Sequence, residues 1–151
     1  MDNNIPDVAE ISFLLQVDAQ VHPTEIVDRV KAAITNIFPN IALEVRKDWI
    51  SSKTEIWNDL IHFSELLEKQ RVLDAARKVV LNRLSGDTTR FLLNKQAAYV
   101  GKINFCESEE ESPMGPLFVV LSSEQIDELL DRIFPKWEWL RGERENLERK
   151  R

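Results

Sequence analysis

The segment Ile11-Ser12-Phe13-Leu14-Leu15-Gln16-Val17-Asp18-Ala19-Gln20-Val21 decides the fold class of this chain. Its odd-numbered positions are all apolar, whereas its even-numbered positions include Ser12, Gln16, Asp18 and Gln20. Because successive side chains of a β-strand point to opposite faces, this alternation predicts a strand with one face on the core and the other towards solvent. The chain is therefore expected to contain a sheet that is covered on one face.

Helices and further strands follow this first strand. Thr24 is placed to cap a helix that runs to Phe38, where Pro39 stops it. The other predicted elements are strands at 41–46, 49–52, 88–94, 102–105 and 117–121, a long helix from 63 or 64 to 84, a helical turn at 96–100 ended by Gly101, and a helix from 124 to 134 capped by Ser123. We therefore predict an α+β fold, with an antiparallel or mixed sheet covered by helices.

The composition is that of one ordinary globular domain. The chain has 151 residues, of which 43% are hydrophobic and 30% are charged, so it can bury a substantial core. Residues 1–140 are predicted to form a single α+β domain, and residues 141–151 a charged tail that is frayed or disordered. The acidic N-terminus, the lack of a long apolar run and the single cysteine, Cys106, predict a cytoplasmic protein.

The sequence lacks the motifs that catalysis, metal binding or cofactor binding would require. His22 and His62 have no cysteine or carboxylate at zinc-ligand spacing, and Cys106 has no histidine at motif distance. No serine lies in a Gly-x-Ser-x-Gly context, and the glycines at 86, 101, 115 and 142 are too scattered for a phosphate-binding loop. We therefore expect no catalytic residue, no metal, no cofactor and no enzymatic activity.

The charge distribution, in contrast, suggests an anionic partner. The formal net charge of −6 disfavours nucleic-acid binding when it is taken alone, but the segment from Glu68 to Lys102 contains eight basic residues and three acidic ones, a local charge of +5. Such a segment can capture a polyanion if folding places its side chains on one surface. The alternative is a solvated helix face that binds nothing.

The polar run Asn94-Lys95-Gln96 lies within this basic segment, at the transition from a strand to a turn. Its amides and ammonium could converge on an anion or a base edge, and Tyr99 could stack on a base. Equally, the same groups could bond backbone atoms where the sheet ends. For Arg77 the structural alternative is an ion pair with Asp74 that locks the helix to the sheet.

Three stretches in the second half of the chain carry a family signature. They are Leu67-Glu68-Lys69-Gln70-Arg71-Val72-Leu73-Asp74-Ala75-Ala76-Arg77, Phe91-Leu92-Leu93-Asn94-Lys95-Gln96-Ala97-Ala98-Tyr99-Val100-Gly101-Lys102-Ile103-Asn104-Phe105, and Ser112-Pro113-Met114-Gly115-Pro116. Within a similarity that extends over about residues 10 to 135, they resemble an archaeal family of uncharacterised proteins that is commonly grouped with RNA-binding proteins. The resemblance implies an α+β fold similar to that of the large-subunit ribosomal protein that binds 5S RNA, and it supplies no established catalytic residue.

RNA binding is therefore the leading hypothesis. Phosphate contacts are predicted from Arg71, Arg77, Lys78, Arg90, Lys95 and Lys102, and base contacts from Asn94, Gln96 and Tyr99. A protein-interaction module, such as a homodimer anchored by Trp137 and Trp139, is the second hypothesis. An enzyme acting on a small anionic substrate through Asn94 and Lys95 is the third. A continuous basic face would favour RNA, whereas internal pairing of Arg77 and Lys95 would favour structural roles.

Overall fold

The computed structural model describes residues 11–136 and 138–140. The strands are β1 (Leu14–Gln20), β2 (Ala42–Val45), β3 (Trp49–Thr54), β4 (Leu84–Ser85), β5 (Thr88–Leu93), β6 (Phe105–Cys106) and β7 (Leu117–Ser122). The helices are α1 (Val27–Ile37), α2 (Trp57–Lys69), α3 (Leu73–Asn82), α4 (Lys95–Tyr99) and α5 (Ile126–Ile133), with a 3-10 turn at Glu109–Glu111. The predicted tail at 141–151, the acidic N-terminus and Trp137 lie outside the described residues.

The strands form one antiparallel sheet in the order β2-β3-β1-β7-β5-β4, with β6 pairing to β5. Every strand pairing in the described chain is antiparallel, so the predicted α+β fold with an antiparallel sheet is confirmed. The predicted alternation of residues 11–21 is confirmed in β1, because Leu15, Val17 and Ala19 are buried while their neighbours are more accessible. The helices pack on this buried side of the sheet, and we call the opposite side the open face.

The prediction of one long helix from residue 63 or 64 to residue 84 is wrong. Two helices, α2 and α3, meet instead at a corner where Arg71 adopts a positive φ of 61°. The Arg71 N–H donates to the Glu68 carbonyl, and the Val72 N–H to the Leu67 carbonyl, both at 3.0 Å. This is the Schellman arrangement, whose left-handed position is usually occupied by glycine. Because arginine gives no sequence signal for such a break, the apolar periodicity concealed it.

The first helix begins later than predicted. Its N-cap is Ile26, not Thr24, because residues 22–25 form a turn in which the Glu25 N–H donates to the His22 carbonyl at 2.8 Å. The predicted end is confirmed, since Phe38 is the C-cap and Pro39 follows it. The prediction that Ser123 is the N-cap of α5 is also wrong, because the N-cap is Gln125. The Ser123 Oγ accepts a hydrogen bond from the Gln125 N–H at 3.1 Å.

A buried carboxylate fixes the start of α2 to the sheet. Asp59 is fully buried, and its oxygens accept hydrogen bonds from the Thr54 hydroxyl and the Asn40 N–H, both at 2.7 Å. The Thr54 hydroxyl also accepts from the Ile56 N–H at 3.0 Å. A carboxylate can be buried only when such bonds replace its hydration. This network joins the end of β3, the start of α2 and the turn after α1.

Candidate nucleic-acid interface

Lys95, predicted to contact phosphate, lies inside the protein. Only 3% of its side chain is exposed, and Nζ donates to the carbonyl oxygens of Gln20 and Met114, both at 2.8 Å. The same Nζ donates to the Glu25 carboxylate at 2.9 and 3.2 Å. An ammonium has three N–H donors, so these four oxygens occupy its whole hydrogen-bonding capacity. The geometry favours the structural interpretation of Lys95.

Asn94 caps a helix within one family stretch, whereas Gln96 and Ser112 join that stretch to the one at 112–116. The Asn94 side chain accepts a hydrogen bond from the Ala97 N–H at 2.9 Å and so caps α4. The Gln96 amide donates to the Pro113 carbonyl at 2.9 Å, and the Ser112 hydroxyl accepts from the Lys95 N–H at 3.2 Å. The stretches at 91–105 and 112–116 are therefore one structural unit. Their shared presence in the resemblance was the only sequence signal for this contact.

A cleft of about 270 Å³ adjoins this unit, between the start of α1 and α4. Tyr99 lines it with 43% of its surface exposed, and the Arg29 guanidinium lies 5.9 Å from the Tyr99 ring centroid. Gln96 and Met114 are also exposed and line the same cleft. The volume is sufficient for a small molecule, as the enzyme hypothesis requires, but the ammonium of Lys95 is already bonded to Glu25.

Arg77 is also held within the fold. Its guanidinium donates to the Phe134 carbonyl at 2.8 Å and to the Asp131 carboxylate at 2.7 Å, and only 13% of the side chain is exposed. The guanidinium also lies 5.2 Å from the centroid of the Trp139 ring. These contacts connect α3 to the end of α5. Arg77 therefore has a structural role, but it forms an ion pair with Asp131 and joins α3 to α5, whereas the sequence suggested a pair with Asp74 that locks the helix to the sheet.

The basic segment does not form one continuous face. Arg90 points to the open face, because its neighbours Thr89 and Phe91 in β5 are buried on the helix side. Lys78 is exposed on α3, which packs on the helix side, where the Thr89 hydroxyl donates to the Val80 carbonyl at 2.8 Å. The local charge of +5 is thus divided between the two sides of the sheet.

On the helix side, a hollow lies between α3 and the chain that leads into β6. This helix-side hollow has a volume of about 470 Å³ and is lined by Val72, Ala75, Val79, Asn94, Ile103, Asn104, Phe105, Cys106 and Glu111. The Ile103 N–H donates to the Gln70 side chain at 2.8 Å, which brings the adjacent Arg71 and Lys102 to the same edge. Arg71, Lys78 and Lys102 are all exposed.

Cys106 lines this hollow, and its thiol is expected to be a poor nucleophile. Burial raises its pKa above the ordinary value of 9.0, and the negative charge of Glu111 raises it further. A thiol that keeps its proton is a poor nucleophile. Among the described residues, no group of three or more His, Cys, Asp or Glu side chains could hold a metal ion. In the same part of the chain, no helix combines the length and apolar character of a membrane span.

The chain is similar to known proteins in both sequence and structure. The family model described as RNA binding matches residues 15–122. A UPF0201 protein of Metallosphaera sedula is 35% identical over 80% of this chain and 86% of its own length. A crystal structure of an uncharacterised UPF0201 protein has a TM-score of 0.73 at 35% identity, covering 82% of this chain and 94% of that chain. The UPF0201 structure from Methanococcus jannaschii has a TM-score of 0.72 at 37% identity, covering 81% and 99%.

The family resemblance seen in the sequence is confirmed by these matches, which include archaeal relatives and a family model described as RNA binding. The implied likeness to the ribosomal protein that binds 5S RNA stays a prediction.

Proposed function

This chain belongs to the UPF0201 family, whose family model is described as RNA binding, and from that premise we propose that it binds RNA through the helix-side hollow. The observation that carries this proposal is the common edge formed by Arg71 and Lys102, both exposed and joined through the Gln70–Ile103 hydrogen bond. Lys78 adds a third exposed cation on α3. Phosphate oxygens are the natural partners of such cations, and they supply most of the affinity for RNA.

The position of the acidic residues sets the direction from which RNA would approach. Glu111 lines the hollow, and the carboxylates of Glu109–Glu111 are exposed beside it. Because they repel phosphate, the backbone of the RNA would follow the edge that carries Arg71 and Lys102. Asn104, which is exposed in the lining of the hollow, would then be available to base edges. This function is binding, and no catalytic step is part of it.

Fluorescence anisotropy with labelled single-stranded and hairpin RNA tests the proposal. Binding is expected at about 50 mM salt and should weaken steeply towards about 200 mM. Arg71→Ala, Lys78→Ala and Lys102→Ala should each lower the affinity for all RNA sequences and reduce the salt slope by about 1. Lys47→Ala is the matched control, since it removes an exposed lysine from the turn between β2 and β3.

The proposal fails if wild-type protein binds neither RNA at low salt. It also fails if the three variants bind with the same affinity and salt slope as wild type and Lys47→Ala.

A further inference from the structure

The open face of the sheet carries apolar side chains where solvated residues are expected. In β7, Leu117, Val119 and Leu121 are buried on the helix side, so Phe118 and Val120 point to the open face and are partly exposed. Antiparallel sheets that leave one face in water usually place polar residues there. A strand that is apolar on both faces, in contrast, is typical of one covered on both sides.

An aromatic pair lies on this apolar strip. Trp49 of β3 is 37% exposed, and its ring centroid lies 6.0 Å from that of Phe118. In the register of the sheet, Trp49 is opposite Gln20 and Phe118 is opposite Asp18, so Trp49 reaches Phe118 across β1. The two rings therefore lie side by side on the open face, tilted by 44° to each other, near the starts of β3 and β7.

Cations lie on either side of the strip. Lys53, Gln16, Val120 and Arg90 occupy one row across four adjacent strands, as the paired registers show. Lys53 and Arg90 are both exposed and are separated by three strand spacings, about 14 Å. The next row contains Asp18 beside Phe118. An amide and a carboxylate thus lie between two cations and next to an aromatic surface.

We propose that the open face binds single-stranded RNA, with a base stacked on the Trp49–Phe118 pair and with Lys53 and Arg90 on the flanking phosphates. This inference rests on the proposed function and adds a second contact surface to it. Aromatic side chains bind unpaired bases by stacking, which duplex RNA does not allow. Asp18 repels phosphate from the centre and can accept a hydrogen bond from an N–H group of a base.

The same charges argue against a second copy of the chain as the occupant. In a two-fold dimer through this face, Asp18, Lys53 and Arg90 would lie within the buried patch of both partners. Interface cores are depleted in lysine and aspartate, because burying them removes their hydration. A single RNA strand leaves the cations at the margins in contact with both phosphate and water.

A labelled oligouridine and a blunt-ended RNA duplex of equal charge distinguish this surface from the helix-side hollow. Trp49→Ala should weaken oligouridine binding about tenfold, and Trp49→Phe should retain most of it, because phenylalanine still stacks. Both variants should bind the duplex as wild type does. Trp139→Ala removes another exposed tryptophan and is the matched control. Because Trp49 packs against Phe118, Trp49→Ala should lose some stability, and denaturation curves should show that both variants are still folded under the binding conditions.

Each other outcome decides against the inference. If oligouridine binding survives Trp49→Ala and Arg90→Ala but is weakened by Arg71→Ala, the open-face proposal is overturned and the helix-side proposal stands. If wild type binds no RNA, both proposals fall. If light scattering shows a dimer that Trp49→Ala converts to a monomer, the open face is a dimer interface and the inference is wrong.

Discussion

Lys95 exchanges its hydration for four protein oxygens, which lie on β1, on the turn before α1 and on the turn before β7. Buried ammonium groups are tolerated only with a counter-charge and a complete set of hydrogen bonds. Glu25, whose side chain is 11% exposed, supplies the counter-charge. Lys95 therefore acts as a cross-link between segments that are distant in the sequence.

Replacing Lys95 with methionine is expected to lower the free energy of unfolding by about 3 kcal/mol, because Glu25 would be left without its partner. Urea denaturation measures this change. The double variant Lys95→Met with Glu25→Leu should lose less than Lys95→Met alone, since it leaves no unpaired charge. A fully stable Lys95→Met protein with weakened RNA binding would contradict the structural interpretation.

Cys106 makes the free energy of unfolding depend on pH, and the sign of this dependence follows from the raised pKa of the thiol. The folded protein retains the thiol proton at pH values where the unfolded chain has lost it. The contribution of the Cys106 thiol to stability is therefore fully present below its pKa in the unfolded chain, about 9.0. It is lost as the pH rises through the pKa of the thiol in the folded protein. The difference in unfolding free energy between wild type and Cys106→Ala should shrink above about pH 9. A difference that grows with pH would contradict the direction of the shift.

At the scale of elements, α2 and α4 end in the same way but with different residues. After α4, the Gly101 N–H donates to the Ala98 carbonyl at 2.9 Å and the Lys102 N–H to the Ala97 carbonyl at 2.9 Å. Gly101 has a φ of 79°, and Arg71 holds the corresponding left-handed position after α2 with a φ of 61°. The corner between α2 and α3 is therefore strained at a residue that we propose to bind RNA.

Arg71→Gly is expected to raise the free energy of unfolding by about 1 kcal/mol, because glycine has no Cβ to oppose a positive φ. Gly101→Ala should lower it by a similar amount for the same reason. Urea denaturation measures both changes, and anisotropy should show that Arg71→Gly binds RNA more weakly. An Arg71→Gly protein that is less stable than wild type would show that the arginine side chain supports the corner.

At the scale of the whole molecule, the sheet separates two groups of exposed cations. Arg71, Lys78 and Lys102 lie on the helix side, and Lys53 and Arg90 lie on the open face. A chain with a net charge of −6 repels a polyanion at long range, so each group must act locally. RNA that contacts both groups would have to pass around an edge of the sheet.

Changes on opposite sides of the sheet should act independently. The loss of binding free energy in the double variant Arg71→Ala with Arg90→Ala should equal the sum of the two single losses, within about 0.5 kcal/mol. Anisotropy with an RNA long enough to reach both sides measures all three values. A double variant no weaker than either single variant would mean that the two arginines serve one shared contact.

Part of the candidate site was predictable and part was not. The resemblance identified Asn94-Lys95-Gln96 as a defined motif, and the residue types allowed either binding or capping. The decision depended on Gln20, Glu25 and Met114, which approach Lys95 only after the sheet has formed. Trp49 and Phe118 were not predicted as a site, although the apolar run of β7 was the signal that a second face needed covering.

The sequence by itself determined the alternation of β1, the helix end at Pro39 and the turn at Gly101, because these depend on the geometry of neighbouring residues. It also determined the excess of positive charge between Glu68 and Lys102. Only the tertiary structure decided which cations are buried and which face each exposed cation occupies. Those outcomes depend on strand order and on contacts between residues far apart in the chain, which local periodicity does not encode.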